Sequence, residues 1–378
     1  MGSHPLRVAL VAAGDPSLQS TNSGVALGFL DALRMRSDVQ IVGTINAARW
    51  GWRHVFLALL TIRFPLRKWR QAYNRSGLAI RLSSRLRDEA LERLPVRPDV
   101  VIHIRGNYLP PALPHVAFID GTASLSQRFW SGWRMSARFL AARERTERLQ
   151  LADSLVVLAA GQHVAREVIE HYGIDPTKVF TIGGGTNFAE LPSPDLARAR
   201  IRAHADRPFR LLFVGVDFQR KGGPLLLDAF RLARERVPDI ELDLIGPKPG
   251  NAEPGVNWRG FLRDRELLRE FYLAADAFCL PSVYEPYGLV IQEAMLHGLP
   301  SIVSDRGELP EIVGHGSAGI VVPAGDAVAL SAAILALAES PERRARLGEE
   351  AMRRVRGMSW TEVAERAVEA IIEALGRG

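Results

Sequence analysis

Short apolar segments alternate with longer segments of helical periodicity along most of this 378-residue chain. The first half contains LRVALVA, VQIVGTI, DVVIHIR, HVAFID, DSLVVLA and KVFTIGG, and the second half contains FRLLFVGV, IELDLIG, NWRGFL, AFCLPS and PSIVSD. Apolar strands that alternate with helices form parallel sheets with helices on both faces. A polar, proline-containing break near residues 188–200 separates the two series. The pattern therefore predicts two doubly wound α/β domains.

The length of the chain agrees with two domains, because one hydrophobic core rarely extends over so many residues. We place an N-terminal domain at residues 1–195, a second domain at 196–358 and a final helix at 359–378, with Ser359 as its N-cap. The single cysteine excludes a disulfide framework. The lack of an apolar stretch of about 18 residues predicts that no helix spans a membrane.

Ligands of doubly wound sheets bind where loops leave the carboxyl ends of the strands. One such loop continues into a helix as SVYEPYGLVIQEAMLHGLP, with Glu285 and Glu293 eight positions apart. The helix is predicted from about Gly288 to His297, with Gly298 as its stop, so Glu285 precedes it and Glu293 lies roughly 8 Å along it. Carboxylates at this spacing suit the hydroxyls of a sugar-sized ligand, and the free amides of the helix start suit an anion.

A second loop, VGVDFQRKGG, lies between a strand and a helix and carries two adjacent cations, Arg220 and Lys221. An arginine can bind two phosphate oxygens at once, and a lysine supplies a point charge. The loop therefore suits a diphosphate, although a solvated turn would have the same composition.

The segment EPYGLVIQEAMLHGLP closely resembles the Glu-x7-Glu motif of retaining glycosyltransferases of the GT-B fold, above all glycosyltransferase family 4. The resemblance extends over residues 210–367, while the first half is similar only in layout. It implies an α/β, GT-B fold with two doubly wound, Rossmann-like domains facing across a cleft. It also implies transfer of a sugar from a UDP-, GDP- or ADP-linked nucleotide sugar to an acceptor glycan or lipid-linked glycan, with no metal and no cofactor, in the cytoplasm.

The resemblance gives roles to the residues of these two loops. Glu285 would lie by the donor sugar and take part in catalysis, and Glu293 would hold the ribose hydroxyls. The family carries G-R-x4-K-G in the other loop, and this chain matches it at Lys221 and Gly222 but has Val216 where the arginine is expected. Arg220 could replace that arginine on the diphosphate. The backbone amides that would face the donor sugar and diphosphate are those of Gly288, Leu289 and Val290.

Three further positions follow from the same resemblance. The backbone near Gly260, Phe261 and Leu262, in NWRGFL, would pack the nucleobase, or the segment is an ordinary edge strand. Gly24 would lie near the donor phosphates, or it forms a plain turn. Asp120 stands near a position where many relatives carry a histidine, so it could polarise the attacking acceptor hydroxyl or cap a turn. The N-terminal domain would bind the acceptor.

The N-terminal half also contains a basic insert without any Asp or Glu between Val39 and Arg87. Three interpretations stay open: a solvated helix, docking on an anionic membrane surface such as the inner face of the cytoplasmic membrane, or binding of another polyanion, with nucleic acid the least expected. An arginine-rich run that begins at Arg128 has the same alternatives. The cations and tryptophans of the insert are Arg49, Trp50, Trp52, Arg53, Arg63, Arg67, Lys68, Trp69, Arg70, Arg75, Arg81, Arg85 and Arg87.

Two other functions compete with the transferase hypothesis. A sugar phosphorylase or nucleotide-sugar hydrolase would use the same fold. A non-catalytic, membrane-associated protein that binds nucleotide sugars would keep the donor site without turnover, and the departures at Val216 and Asp120 are consistent with it.

Overall fold

The structure is a computed structural model that describes residues 4–19, 21–47, 76–188, 193, 195–204 and 206–376. The chain divides into two units. The N-terminal unit comprises Met1–Gly185 and Trp360–Gly378, and the C-terminal unit comprises Thr186–Ser359. Each unit contains one parallel sheet of six strands.

The sheet of the N-terminal unit has the strand order β2-β1-β3-β4-β5-β6. Its interior strand β1 is fully buried from Val8 to Ala12, as expected for a parallel strand that helices cover on both faces. The strands are β1 Leu6–Ala12, β2 Val39–Asn46, β3 Val100–Ile104, β4 His115–Ile119, β5 Val157–Ala159 and β6 Val179–Thr181.

The sheet of the C-terminal unit has the strand order β12-β11-β10-β7-β8-β9. The chain winds from β7 through β8 to β9 and then returns to the other side of β7 with β10. Such a change of winding direction opens a crevice at the carboxyl ends of the two strands beside it, here β7 and β10. The strands are β7 Arg210–Val214, β8 Glu241–Ile245, β9 Val256–Gly260, β10 Ala277–Leu280, β11 Ser301–Ser304 and β12 Gly319–Val322.

Helices connect the strands in both units. The α-helices of the described residues are α1 Val25–Arg34, α2 Gly77–Glu92, α3 Ala123–Phe129, α4 Ala137–Asp153, α5 Gln162–Glu170, α6 Leu196–Ala203, α7 Gly223–Arg234, α8 Arg265–Ala274, α9 Leu289–Leu296, α10 Leu309–Ile312, α11 Ala327–Ala338, α12 Pro341–Val355 and α13 Trp360–Gly376.

The predicted doubly wound α/β architecture is confirmed in both units. Helix α9 lies within the predicted bounds: Gly288 precedes it with a φ of 107°, and Gly298 follows it with a φ of 68°. Strand β12 was not among the predicted strands, and it forms the edge of the second sheet beside β11.

The chain passes between the units at Gly185 and Thr186, whereas the sequence analysis places the boundary at residue 195. The contacts of the residues after Gly185 explain the difference. The amide of Thr186 donates to the Met358 carbonyl at 3.2 Å, and the Phe188 ring packs edge-on against His297 with centroids 5.0 Å apart. Residues before the polar break therefore already belong to the C-terminal unit.

The last helix, α13, packs on α1 within the N-terminal unit. Two glycines make room for Trp360, the first residue of α13. A Cβ at Gly28 would lie 2.2 Å from Trp360 Nε1, and a Cβ at Gly185 would lie 2.4 Å from the indole ring. The Arg366 guanidinium also donates to the Ile182 carbonyl at 3.0 Å. The absence of side chains at Gly28 and Gly185 is thus what allows α13 to dock.

We predict that Gly28→Ala destabilises the protein by about 1–3 kcal/mol, because the added methyl must displace the indole of Trp360. Replacing a glycine in a helix interior by alanine ordinarily stabilises a protein by about 0.5–1 kcal/mol. A loss of stability in Gly28→Ala would therefore indicate the contact with Trp360. Gly77→Ala, at the start of α2 with open space around its Cα, is the matched control and should cost nothing. Urea unfolding followed by tryptophan fluorescence measures both, and a Gly28→Ala protein as stable as the wild type would contradict the packing described.

Candidate functional site

Glu285 lies in the loop that leaves β10 at its carboxyl end. Its residue is only 7% exposed, so the carboxylate is not a solvated loop charge. The loop is tied to the one that leaves β7, because the Val283 amide donates to the Arg220 carbonyl at 2.9 Å. Gly307, in the loop after β11, packs on the Glu285 backbone so closely that a Cβ there would lie 2.2 Å from the Glu285 carbonyl oxygen. Three loops therefore fix the position of Glu285.

Two cations from the loop after β7 face the Glu285 carboxylate. Arg220 Nη1 donates to Glu285 Oε2 at 3.2 Å and to the Tyr284 carbonyl at 2.7 Å. Lys221 Nζ lies 3.9 Å from the same carboxylate oxygen and donates to the Val214 carbonyl at 3.3 Å. Burial lowers the pKa of the Lys221 ammonium below its usual value, and the negative charge of Glu285 opposes this shift. The structure thus brings together three residues that the sequence analysis singled out.

Glycines shape the loop after β7 around these side chains. A Cβ at Gly215 would lie 2.2 Å from Lys221 Cδ, so the lysine stem lies flat on the backbone. Gly222 has a φ of 76°, and a Cβ there would lie 2.0 Å from the Pro281 carbonyl. Val216, which stands where the family carries an arginine, is 65% exposed, so the side chain at that position points away from the packed interior.

Helix α9 starts beside Glu285. Gly288 adopts a left-handed conformation immediately before it, and Leu289 and Val290 form its first turn. The first amides of a helix have no intrahelical acceptor, so they and the positive end of the helix dipole favour an anion. The predicted amides of residues 288–290 thus belong to one helix start, directly after the Glu285 loop.

Glu293, one turn further along α9, is almost completely buried, with 2% of its surface exposed. Its Oε1 accepts hydrogen bonds from Arg265 Nη2 at 2.8 Å and from Asn187 Nδ2 at 3.1 Å. Its Oε2 accepts from the Tyr272 hydroxyl at 3.1 Å. Burial raises the pKa of the Tyr272 hydroxyl, and the negative charge of Glu293 raises it as well. Glu293 is therefore the centre of a buried polar cluster and not a solvated helix residue.

Aromatic rings pack around this cluster. Tyr272 stacks on His297 with centroids 5.1 Å apart and planes at 9°. The Arg265 guanidinium lies 4.3 Å from the centroid of Phe188. The buried Arg200 guanidinium donates to the carbonyls of His297 and Gly298 at 2.5 and 2.9 Å, which satisfies the end of α9. These supports were not predicted from the sequence, although Arg265 and Tyr272 are seven positions apart and so lie on one face of a helix.

The predicted nucleobase segment lies at the same edge of the sheet. Gly260 ends β9 with a φ of 67°, and its carbonyl accepts a hydrogen bond from the Gly246 amide at 2.7 Å. Phe261 is 63% exposed and Leu262 is half-buried. Since β9 is two strands away from β7, this segment is set apart from the Glu285 loop along the carboxyl edge.

In the N-terminal unit, Asp120 follows β4 and forms an ion pair with Arg105, which follows the adjacent strand β3. Arg105 has a φ of 53°, a left-handed conformation that is strained for a residue other than glycine. Its amide donates to the Phe118 carbonyl at 2.7 Å, which continues the pairing of the two strands. Asp120 is thus a paired carboxylate, and the sequence analysis did not identify Arg105 as its partner.

Gly24 lies on the carboxyl side of β1. It ends a 3-10 turn, Thr21–Gly24, and precedes α1 with a φ of 86°. Its backbone conformation favours glycine, which accounts for the residue type without a ligand. The structure is therefore consistent with both predictions for Gly24, a plain turn and a position near the donor phosphates.

Most of the basic insert, residues 48–75, lies outside the described residues. This part contains Arg49, Trp50, Trp52, Arg53, Arg63, Arg67, Lys68, Trp69, Arg70 and Arg75. The remaining cations of the insert belong to α2, where Arg81 and Arg85 are exposed and Arg87 is 1% exposed. Arg87 donates to Asp88 at 2.7 Å and to the Leu109 carbonyl at 2.7 Å. Arg87 is therefore a structural cation and does not contribute to a basic surface.

The described residues form neither a metal-binding cluster nor a membrane-spanning helix. No group of three or more His, Cys, Asp or Glu side chains in this part of the chain is arranged to hold a metal ion. None of the described helices has the length and apolar character needed to cross a membrane.

We predict a pH dependence of stability from His297. Burial, together with the positive charge of nearby arginines, lowers the pKa of this ring to about 4 from an ordinary value of 6.5. The unfolded chain therefore takes up the proton first as the pH falls from 6.5 towards 4, and stability decreases across this window by up to about 3 kcal/mol. His297→Gln should reduce this loss in urea unfolding at pH 7.5 and pH 4.5, whereas His315→Gln, at an exposed ring, should not. Parallel pH curves for the wild type and His297→Gln would contradict the assignment.

Solved structures resemble the chain over its whole length. Sucrose-phosphate synthase from Thermosynechococcus elongatus superposes with a TM-score of 0.69 at 19% identity, over 99% of this chain and 100% of that chain. Anabaena HepE, solved in complex with UDP and glucose, superposes with a TM-score of 0.64 at 16% identity, over 97% and 99% of the two chains. The likeness confirms the predicted GT-B fold.

Curated relatives match a shorter part of the chain. D-inositol 3-phosphate glycosyltransferase of Corynebacterium glutamicum (strain R) is 34% identical over 237 residues, which are 57% of this chain and 56% of that protein. Alpha-maltose-1-phosphate synthase of Mycolicibacterium smegmatis is 29% identical over 255 residues, 60% of this chain and 64% of that protein. The chain thus spans little more than half the length of the first of these relatives. Residues 197–354 match the model of the glycosyl transferases group 1.

Proposed function

We propose that the protein is a retaining glycosyltransferase of family 4 that moves a sugar from a nucleotide sugar to an acceptor hydroxyl. The observation that carries the proposal is the buried Glu285, which faces Arg220 and Lys221 beside the start of α9. The names of the relatives support a sugar-transferring activity. HepE was solved with UDP and glucose, which makes a UDP-linked sugar the first donor to test.

In the proposed reaction, the bond between the sugar C1 and the diphosphate oxygen breaks, and the acceptor oxygen bonds to C1 on the same face. Negative charge develops on the leaving diphosphate, where Lys221 and the amides of Gly288, Leu289 and Val290 stabilise it. Glu285 faces the donor sugar. Glu293 receives the ribose hydroxyls, and Gly260, Phe261 and Leu262 pack the base. A fixed positive charge can stabilise the leaving diphosphate in place of a metal ion, so we propose that transfer needs no divalent cation.

We assign acceptor binding to the N-terminal unit. Asp120 would accept the hydrogen bond of the attacking hydroxyl, and its ion pair with Arg105 would hold the carboxylate in place. Gly24 would contact the donor phosphates. The proton of the acceptor hydroxyl passes to the leaving phosphate or to Asp120, so that charge balances.

The first test is thermal stabilisation by UDP, GDP, ADP and their sugar conjugates, with EDTA and with Mg²⁺. A ligand at about 100 times its dissociation constant adds roughly 2.7 kcal/mol. We expect one nucleotide to stabilise the protein equally in both buffers. Stabilisation that needs Mg²⁺ would refute metal independence, and product formation that needs inorganic phosphate instead of a nucleotide would favour a phosphorylase.

We predict that Glu285→Ala lowers transfer by at least about 100-fold without unfolding the protein. Glu241→Ala is the matched control, because Glu241 starts β8 at the opposite end of the sheet and pairs with Arg210. Radiolabelled sugar transfer to glycan and lipid-linked acceptors measures both variants. Full transfer by folded Glu285→Ala would exclude the assigned role, and binding of the nucleotide sugar without turnover by the wild type would favour the non-catalytic alternative.

Helix α4 of the N-terminal unit carries exposed apolar and cationic side chains. Phe139 and Leu149 on α4 are 50% and 52% exposed, and Arg138 and Arg145 on the same helix are also exposed. Exposed apolar side chains among cations suit the interface of anionic lipids. We therefore propose that the protein acts in the cytoplasm and docks peripherally on the inner face of the cytoplasmic membrane, where a lipid-linked acceptor would be located.

We predict that the protein sediments with vesicles of phosphatidylglycerol but not with those of phosphatidylcholine. Each cation near the surface contributes about 1 kcal/mol, so Arg138→Glu with Arg145→Glu should weaken vesicle binding more than about tenfold. Arg236→Glu, at an exposed arginine of the C-terminal unit, is the control for net charge. Equal binding to both lipids, or no effect of the paired reversal, would contradict this surface.

A further inference from the structure

The loop after β7 departs from the family pattern, since Val216 stands at the expected arginine and Arg220 lies four positions later. We propose that Arg220 does not replace that arginine on the diphosphate but is a positioning residue, which holds the Glu285 carboxylate directly and through the adjacent Tyr284 carbonyl. Lys221 then carries the contact with the diphosphate. This inference rests on the proposed function for the role of Glu285 and goes beyond it in separating the two cations.

The hydrogen bonds of Arg220 carry this assignment. An Nη atom has two hydrogens, and Nη1 of Arg220 has two acceptors on one segment: the Tyr284 carbonyl at 2.7 Å and Glu285 Oε2 at 3.2 Å. The Nε atom lies 3.5 Å from Asp217 Oδ2, a carboxylate of the same loop. A phosphate that took the place of Tyr284 and Glu285 on Nη1 would leave a carbonyl and a carboxylate without their donor.

Burial makes it energetically costly to break the hydrogen bonds of Arg220 to the Tyr284 carbonyl and the Glu285 carboxylate. The side chains of Arg220 and Glu285 are 15% and 9% exposed, so neither can exchange its partner for bulk water at little cost. The backbone around them is also fixed, because the Val283 amide bonds to the Arg220 carbonyl at 2.9 Å and Gly222 packs against Pro281. The Arg220 guanidinium therefore adds a side-chain link between the loops after β7 and β10, which are already linked through their backbones.

Lys221 is buried like Arg220 but differs from it in its contacts with the Glu285 loop. Its ammonium donates to the Val214 carbonyl at 3.3 Å and lies 3.9 Å from Glu285, beyond hydrogen-bond distance. Burial lowers the pKa of the ammonium, so an added anion would restore the electrostatic stabilisation that water provides elsewhere. The lysine can turn its remaining hydrogens towards a diphosphate without releasing the Glu285 backbone.

The test compares Arg220→Met with Lys221→Met, which remove the charge and keep an unbranched apolar stem. Calorimetry with UDP, GDP and ADP gives nucleotide affinity, hydrogen exchange of residues 281–288 gives the order of the Glu285 loop, and transfer kinetics give kcat and KM. For Arg220→Met we expect faster exchange in residues 281–288, kcat lowered about 100-fold and a nucleotide dissociation constant within about threefold of the wild type. For Lys221→Met we expect that dissociation constant to rise at least about tenfold.

Val216→Arg in the Arg220→Met background is the third arm. It restores an arginine at the family position, so it should leave the exchange of residues 281–288 fast and kcat low. Arg220→Lys can donate to at least one of the two acceptors. It should therefore partly restore both the slow exchange of residues 281–288 and kcat. The inference is overturned if Arg220→Met weakens nucleotide binding as much as Lys221→Met does, if the exchange of the loop is unchanged, or if Val216→Arg restores kcat. A wild-type protein without transfer would refute the proposed function, while hydrogen exchange and nucleotide affinity would still decide the role of Arg220.

Discussion

Buried carboxylates are tolerated only where cations and hydrogen-bond donors surround them, and the C-terminal unit contains two within eight residues. Glu285 takes its cations from the loop after β7, and Glu293 takes its donors from α8 and from Asn187 near the unit boundary. Each partner comes from a segment distant in sequence. The two carboxylates therefore tie α9 and the loop before it to the loop of the central strand and to α8.

The charged pairs of the two sheets occupy equivalent positions. In each unit the charged pair stands at the carboxyl ends of strands, at β7 and β10 in one and at β3 and β4 in the other. Side chains that leave neighbouring parallel strands at the same end are brought close together by the strand spacing. The C-terminal unit uses two cations for one carboxylate, and the N-terminal unit uses one cation, held on a strained backbone.

Much of this could be predicted from the sequence, because periodicity depends on neighbours along the chain. The alternation of strands and helices, the bounds of α9 and the loop position of Glu285 all follow from local patterns. The partners of Glu293 could not be predicted, since Arg265, Tyr272 and Asn187 meet only through tertiary packing. Arg87 shows the opposite error: a run of cations looked like a surface, but one of its members is buried and bonded to a carboxyl, a carbonyl and His103.

The docking of Trp360 between Gly28 and Gly185 makes the N-terminal unit discontinuous in sequence. The C-terminal unit is a single stretch, Thr186–Ser359, and all of it leaves the ribosome before Trp360 does. During synthesis the first unit therefore has an empty indole site beside α1 while the second already has every residue it needs. Domains usually fold in the order of synthesis, but here the unit that begins first is the one that is completed last.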